Sequence, residues 1–455
     1  MNIKTIINLG TIFILSTLTQ ISFADQVIVG YRHLADPGTL VYNGRVYLYA
    51  SNDDENAAEK NSGYQMKSIV CVSSSDMKNW TDHGIVLQAP QDVSWAGRTW
   101  APSVVARNGK VFLYFGNGGN GIGVASSNSP IGPFKDPIGK KLVEMQTPGV
   151  LPAPNMWLFD PMTFIDDDGQ AYMYFGGNGD GNVRAIKLNN DMTSTDGPAV
   201  SINAPAFFEA SWMHKRNGIY YFSYSTNPKA QMRIDYMTSK SPLSGFSYAG
   251  IAAAQPPKNN NNNHQAIFEF KGRWYHAYHN RSVAHRTGIP TEFKRNLAIE
   301  VLDYSDEGNI IQVGYTSDGV PQVEALNPYA RVEAETMNDQ QGVRTEPCAH
   351  GGLNVTNIKN GDWIKIKGVD FGKGAKTFTA SVASIAKGNK IELRLGSPTG
   401  QLIGTLQVPN TNGAQRWQQA SCAIKGAIGK QDLFLAVTGA EKPEINIDHW
   451  KFTVK

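Results

Sequence analysis

Asp36, Ala101, Asp160, Glu209 and His264 each stand eight or nine residues before a turn glycine, namely Gly44, Gly109, Gly169, Gly218 and Gly272. Four of the five carry an ionisable side chain, and three of those are carboxylic acids. The glycines recur roughly 50 to 65 residues apart, a period that points to a repeated structural unit. If the repeats are arranged around an axis, their equivalent positions converge on one mouth of a central channel. Carboxylates gathered there raise one another's pKa, so one acid stays protonated while another is ionised. That division of labour is what glycosidic bond cleavage needs: one carboxyl protonates the leaving oxygen, and the other activates water or attacks carbon. Taken singly each residue has a plainer reading. Asp36-Pro37 and Asp160-Pro161 are ordinary turn pairs, and Glu209 suits a solvated strand edge. Their common register favours a site. His264 is left open between a metal ligand, a water-orienting group and a satisfied buried polar residue.

The elements that must position these residues are five hairpins. Residues 39–49 (TLVYNGRVYLY), 103–115 (SVVARNGKVFLYF), 162–175 (MTFIDDDGQAYMYF), 211–224 (SWMHKRNGIYYFSY) and 266–278 (AIFEFKGRWYHAY) each run from an apolar stretch through a glycine turn into an aromatic-rich strand. Alternation with period two dominates, and long helical periodicity is nearly absent. Outer segments echo one another at 75–84 (SDMKNWTDHG), 127–136 (SNSPIGPFKD) and 239–248 (SKSPLSGFSY). Four strands with fixed turns make a propeller blade. The spacing is long for a blade, which predicts inserted loops at residues 60–65 and 145–154. The asparagine run at 259–263, just before His264, is expected to be ordered by the site it enters. Trp95, Trp100, Trp157, Phe159, Phe207, Phe208 and Trp212 crowd the same segments. Most are expected in the core, with Trp100 and Trp157 as the wall against which an apolar sugar face stacks.

The chain has 455 residues, 45 glycines, 10% aromatic and 18% charged residues, and a net charge of +3. This length suits two domains, and the composition suits an all-β protein with many turns. No basic cluster marks a nucleic-acid partner. Residues 1–24 read as a signal peptide: Lys4, an apolar core, then Ser22-Phe23-Ala24 as a cleavage site. The mature chain is therefore expected to be secreted or periplasmic, with no membrane association. Three cysteines are present; Cys71 reads as buried, while Cys348 and Cys422 are candidates to pair once exported. Composition shifts near residue 325. The expected organisation is a propeller over 25–323, a linker over 324–329 and a β-sandwich over 330–455.

At these motifs the chain resembles glycoside hydrolase family 43, the five-bladed β-propeller glycosidases. The matching stretches are Ala35-Asp36-Pro37, Thr99-Trp100-Ala101-Pro102, Leu158-Phe159-Asp160-Pro161, Phe207-Phe208-Glu209 and Asn263-His264-Gln265-Ala266-Ile267. The resemblance implies Asp36 as general base, Glu209 as general acid and Asp160 as the residue tuning that acid, with inversion of configuration. It implies Arg295 at the substrate and His264 near a channel metal, usually calcium; Phe159, in the matching stretch, is a further candidate substrate contact. The segments SSSDMKNWTDHG, NGGNGIGVASS and FFEAS are most similar to arabinoxylan arabinofuranohydrolases within the family. The implied activity is release of L-arabinofuranose side groups from arabinoxylan or related cell-wall polysaccharide. A β-xylosidase, an arabinan-active exo-enzyme and a non-catalytic sugar-binding propeller remain as alternatives. Residues 331–455 resemble a family 6 carbohydrate-binding module, a jelly-roll β-sandwich. That resemblance implies Glu333, Glu335 and Asp448 as ligands of a structural calcium and Asn446 as a sugar contact. Ala414 stands where a stacking tryptophan is often found.

Overall fold

The computed structural model describes residues 26–56, 63–227, 232–290, 292–439 and 445–454. The expected signal peptide, and residues 60–62 of one expected loop, lie outside them. Strands dominate, and the one α-helix among the described residues is Ser282–Thr287.

Five antiparallel sheets follow one another along the first two thirds of the chain. The first contains Leu34–Tyr42, Arg45–Asn52, Ser68–Ser74 and Trp80–Gln88. The second contains Trp100–Arg107, Lys110–Gly116 and Ile122–Ser127. The third contains Met162–Ile165, Ala171–Phe175, Val183–Leu188 and Thr195–Ile202. The fourth contains Phe207–Arg216, Ile219–Thr226, Ile234–Ser239 and Ser247–Ala253, and the fifth Gln265–Phe270, Arg273–Asn280 and Asn296–Leu302. The first strand of each sheet packs beside the first strand of the next, and the fifth returns to the first, which closes a ring of five blades. The N-terminal segment seals it, with the Ile28 N–H donating to the Leu297 carbonyl of blade 5 at 2.9 Å. Four strands per blade were expected. Blades 2 and 5 have three, and their outer edges are reduced to the isolated bridges Ser126–Lys135 and Tyr304–Ile310.

The turn chemistry explains why the hairpins form. Asn43-Gly44, Asn108-Gly109, Asn217-Gly218 and Lys271-Gly272 all have positive φ at both residues. That is the two-residue turn whose twist matches flanking antiparallel strands, and it favours glycine in the second place. Large aromatic side chains such as Tyr174, Phe222, Tyr224 and Tyr275 are fully buried between blades, where they supply the apolar area that holds the blades together.

The C-terminal third is a two-sheet sandwich. One sheet orders Arg344–Pro347, Leu353–Ile358, Ile445–Val454, Ala375–Ser384 and Gln418–Ala423. The other orders Asp339–Gln341, Trp363–Asp370, Lys430–Thr438, Lys390–Leu395 and Gln401–Gln407. Trp450, Phe378 and Phe452 pack between them. The segment expected as a linker is pinned to this sandwich, with Leu326 bridged to Val369 and the Tyr329 hydroxyl donating to the Phe371 carbonyl at 2.7 Å. Thr336–Met337 pairs with the outer strand of blade 1, so the two units share a sheet edge. Buried Asp82 ties the seam together, accepting from Tyr31 (2.8 Å), Arg32 (2.7 Å) and Thr345 (2.9 Å).

The topology answers the open question of a Cys348–Cys422 pair. All three cysteines are free thiols. Cys348 follows one edge strand of the first sheet and Cys422 lies on the opposite edge strand. Four strand spacings of about 4.8 Å separate them, roughly 19 Å, well beyond the ~7 Å that a disulfide spans.

Candidate active site

Four blades place a left-handed residue at or next to the repeated position, and in three of them the innermost strand carries a bulge there. Asp36 (φ 53°), Ala101 (φ 44°), Asp160 (φ 49°) and Ala210 (φ 60°) are left-handed there. Strand pairing jumps from Ala35 to Gly38 in blade 1, from Trp100 to Ser103 in blade 2 and from Glu209 to Trp212 in blade 4. A bulge bends the strand and re-aims its side chains. Here it turns them into a cavity of about 470 Å³ at the channel mouth, within the range of small-molecule sites.

Asp36, Asp160 and Glu209 all line this cavity, with only 5–6% of their surface exposed. Arg295, itself buried, donates from Nη1 to Asp36 Oδ1 at 2.6 Å. Its other edge forms a fork on Asp53, with Nε and Nη2 each at 2.8 Å from a carboxylate oxygen. The Tyr64 ring lies under the guanidinium, 4.6 Å away. Asp160 Oδ2 accepts the Ala210 N–H at 3.1 Å. His264 Nδ1 sits between two acids, 3.7 Å from Asp36 and 3.8 Å from Asp160.

This arrangement drives the two outer carboxyls apart in acidity. Burial would raise Asp36, but the Arg295 charge beside it overcomes this and holds the carboxyl well below the usual range. Among the described residues no basic group is bonded to Glu209. Burial, then the charges of Asp160 and Asp36, push it well above the usual carboxylate range. Asp160 is also raised, by burial and then by Asp36, while the Ala210 N–H favours its ionised form. Two carboxyls shifted in opposite directions, Asp36 down and Glu209 up, therefore face one cavity.

Trp100 and Trp157 stand on the cavity wall, but Phe159 and Phe208 join them, so fewer of the seven aromatics are core than expected. Trp157 is 40% exposed and stands edge-on to Phe159 (5.6 Å) and Phe208 (5.8 Å). Trp100 faces Tyr64 edge-on at 6.3 Å. Trp100, Trp157, Phe159, Phe208, Arg295 and His264 all line the cavity. Trp95 stacks on Phe115, Trp212 donates to the Ile267 carbonyl, and Phe207 is fully buried. Sequence reasoning missed Tyr64, Met66, Asn261 and Asn262, which complete the lining, and Asp53, which holds Arg295. A signal for Asp53 did exist, since SNDDE places three acids right after an apolar strand.

Metal candidates are distributed differently from expectation. Around His264 no group of three ligand-bearing side chains forms among the described residues; Asp36 is already taken by Arg295. In the sandwich, Glu333, Asp448 and His449 bring ligand atoms within 4.8 Å of one another. His449 stands in this group where Glu335 was expected. Glu335 is buried nearby with Oε2 unpartnered, and burial, with the charges of Glu333, Asp82 and Asp448, pushes its pKa to about 9. A buried carboxylate oxygen lacking a partner, beside two more carboxylates, is what a hard cation relieves. Arg331 meanwhile forks onto Glu333, with both contacts at 2.8 Å. Asn446 has both amide hydrogens engaged, by Glu346 (2.7 Å) and the Ala414 carbonyl (2.8 Å), so only its oxygen is left for a sugar. Trp363 belongs to the other sheet, edge-on to Phe434.

Residues 24–310 match the model of glycosyl hydrolases family 43, and residues 333–454 match carbohydrate binding module family 6. The arabinoxylan arabinofuranohydrolase of Bacillus subtilis (strain 168) is 43% identical, over 92% of this chain and 90% of its own. That of Paenibacillus polymyxa is 42% identical, over 96% of this chain and 75% of its own. A crystal structure of the family 43 arabinoxylan arabinofuranohydrolase from Bacillus subtilis, in complex with cellotetraose, superposes with a TM-score of 0.87 at 41% identity, covering 95% of this chain and 99% of the other.

Proposed function

The chain belongs to glycosyl hydrolase family 43 and carries a family 6 carbohydrate-binding module, and from that premise we propose that it releases L-arabinofuranose side groups from arabinoxylan with inversion of configuration. The observation that carries the mechanism is that Asp36, bonded to Arg295, and Glu209, beside Asp160, line one cavity that shifts their acidities in opposite directions. Asp36 takes a proton from water, which attacks the anomeric carbon from the face opposite the leaving oxygen. Glu209 gives its proton to that oxygen as the bond breaks. Asp160 keeps Glu209 protonated until then, and its bond to the Ala210 N–H fixes it next to the acid. Trp157, Trp100 and Phe159 hold the apolar faces of the sugar, and Arg295 keeps the base ionised and aimed. The support for an arabinose side group is the likeness to two arabinoxylan arabinofuranohydrolases over nearly the whole chain.

The sandwich is proposed to hold the enzyme on plant cell-wall polysaccharide. Glu333, Glu335 and Asp448 would hold calcium there, tying the start of the sandwich to its last strand; the ion is structural and takes no part in the chemistry. Residues 1–24 are proposed to direct export. Product analysis on wheat arabinoxylan, linear arabinan and xylobiose tests the reading. Arabinose from arabinoxylan, appearing first as the β-anomer by proton NMR, is expected. Xylose as the main product, or α-arabinose as the first anomer, would overturn it.

A further inference from the structure

Each bulge leaves a backbone donor outside the strand ladder. In blade 1 pairing skips Asp36 and Pro37. The Asp36 N–H thus has no strand partner, and proline has no N–H to need one. Three bulges satisfy the left-handed residue with a side chain from the preceding blade. Ala101 N–H donates to Ser51 Oγ at 2.9 Å, Ala210 N–H to Asp160 Oδ2 at 3.1 Å, and Asp36 N–H to His279 Nδ1 at 3.3 Å.

The other nitrogen of His279 fixes its tautomer. Nε2 lies 2.9 Å from the backbone carbonyl oxygen of Asn262. A carbonyl can only accept, so Nε2 carries the hydrogen and Nδ1 keeps its lone pair. The ring is fully buried, and burial lowers its pKa to about 4, which keeps it neutral. The Asn262 carbonyl is itself held. Asn259 Nδ2 donates to it at 2.9 Å, and Arg281 reaches Asn262 Oδ1 at 3.1 Å and also donates to Asn259 Oδ1. The low-complexity asparagine run thus has a physical task.

We propose that His279 is a positioning residue for the base: locked as the Nε2–H tautomer by Asn262, it accepts the Asp36 N–H at Nδ1 and fixes the left-handed turn that aims the Asp36 carboxylate into the cavity. The inference rests on the reading of Asp36 as the base. With the hydrogen on Nδ1 instead, the ring would point a donor at Asp36 Oδ1, 3.4 Å away, and leave the Asp36 N–H without an acceptor.

Two variants separate this from simple packing. His279→Asn places an amide oxygen where Nδ1 was and keeps the acceptor. His279→Gln places its polar end where Nε2 was and loses the acceptor. His279→Asn should keep kcat within about fivefold, whereas His279→Gln should lose about 30-fold in kcat with KM within about twofold, the effect of leaving one buried donor unmade. Equal activity of the two, or a loss confined to KM, overturns the inference. In the wild-type enzyme, nitrogen-15 histidine NMR, with the His279 signal identified by its loss in either variant, should show a neutral Nε2–H ring. A hydrogen on Nδ1 overturns the inference whatever the variants do. Asp36→Asn separates the two levels. An active Asp36→Asn enzyme removes the base reading, whereas an inactive one beside a fully active His279→Gln removes only the positioning role.

Discussion

Arg295→Gln is the sharpest perturbation the site offers. The guanidinium touches Asp36 at 2.6 Å and is the main group holding that carboxyl ionised. Taking the charge centres about 4 Å apart, with the effective dielectric of about 20 that suits such pairs, their attraction is about 4 kcal/mol. At 1.36 kcal/mol per pKa unit, its loss raises the Asp36 pKa by about three units. The base must be ionised to work, so the acid limb of kcat/KM against pH should move up by about three pH units. The alkaline limb reports loss of the Glu209 proton. Arg295 is the weakest of the charges acting on Glu209, so that limb should rise as well, by less. The bell therefore narrows from its acid side, and the variant should recover activity as the pH is raised. Asp53 loses its partner in the same step, so Arg295→Gln/Asp53→Asn should show the same shift with better folding. The assay is kcat/KM on an aryl arabinofuranoside from pH 3 to 9. An acid limb that stays in place, or moves down, refutes the assignment of Arg295 and with it the electrostatic account of Asp36.

Three further outcomes are expected. Glu209→Gln should lower kcat by about 10² to 10⁴ on arabinoxylan and by much less on an aryl arabinofuranoside, whose leaving group needs little protonation; equal losses on both substrates would contradict the acid role. Trp157→Ala should raise KM about tenfold on arabinoxylan with kcat little changed, because it removes a stacking wall used alike in ground and transition states. Calorimetry in a chelator should lower the melting temperature, and calcium at 100 times its dissociation constant should restore about 2.7 kcal/mol; a transition indifferent to both would remove the calcium proposal, and Asp448→Asn should abolish the response.

Much of this architecture can be read from short-range patterns. Asn-Gly turns and period-two aromatic strands are local, so the five hairpins and their common register are visible without a structure. The three acids follow from that register alone. The hidden part depends on contacts far apart in the chain. Asp53 and Arg295 are separated by more than half the chain, and no local pattern links them. Tyr64 follows a loop whose path no periodicity predicts. His279 sits in YHAYHN, where alternation makes it look like core; only the closing of blade 5 onto blade 1 brings it to Asp36. The pairing of Cys348 with Cys422 stays open in the sequence for the complementary reason, since cysteine count carries no sheet order, and sheet order puts those thiols on opposite edges.

Ala101 shows which part of the site belongs to the scaffold and which to the chemistry. It has the same left-handed backbone and the same side-chain cap on its N–H as Asp36, yet it carries a methyl group. A non-glycine residue in that conformation costs about 1–2 kcal/mol, so charge cannot be what creates the bulge. Four of the five inner strands adopt it, and packing between blades sustains the strain. Catalytic capacity then depends on what each of these four blades hangs from its turn. Asp36 and Asp160 are aimed by such turns directly, and Glu209 by its neighbour Ala210. Blade 5 has no left-handed residue at its copy of the position, and there the chain places His264 rather than an acid. Replacing Ala101 with aspartate would therefore put a fourth carboxyl into the mouth without new backbone strain. Its charge would raise Glu209 and Asp160 further, and displace the bell toward alkaline pH without abolishing turnover.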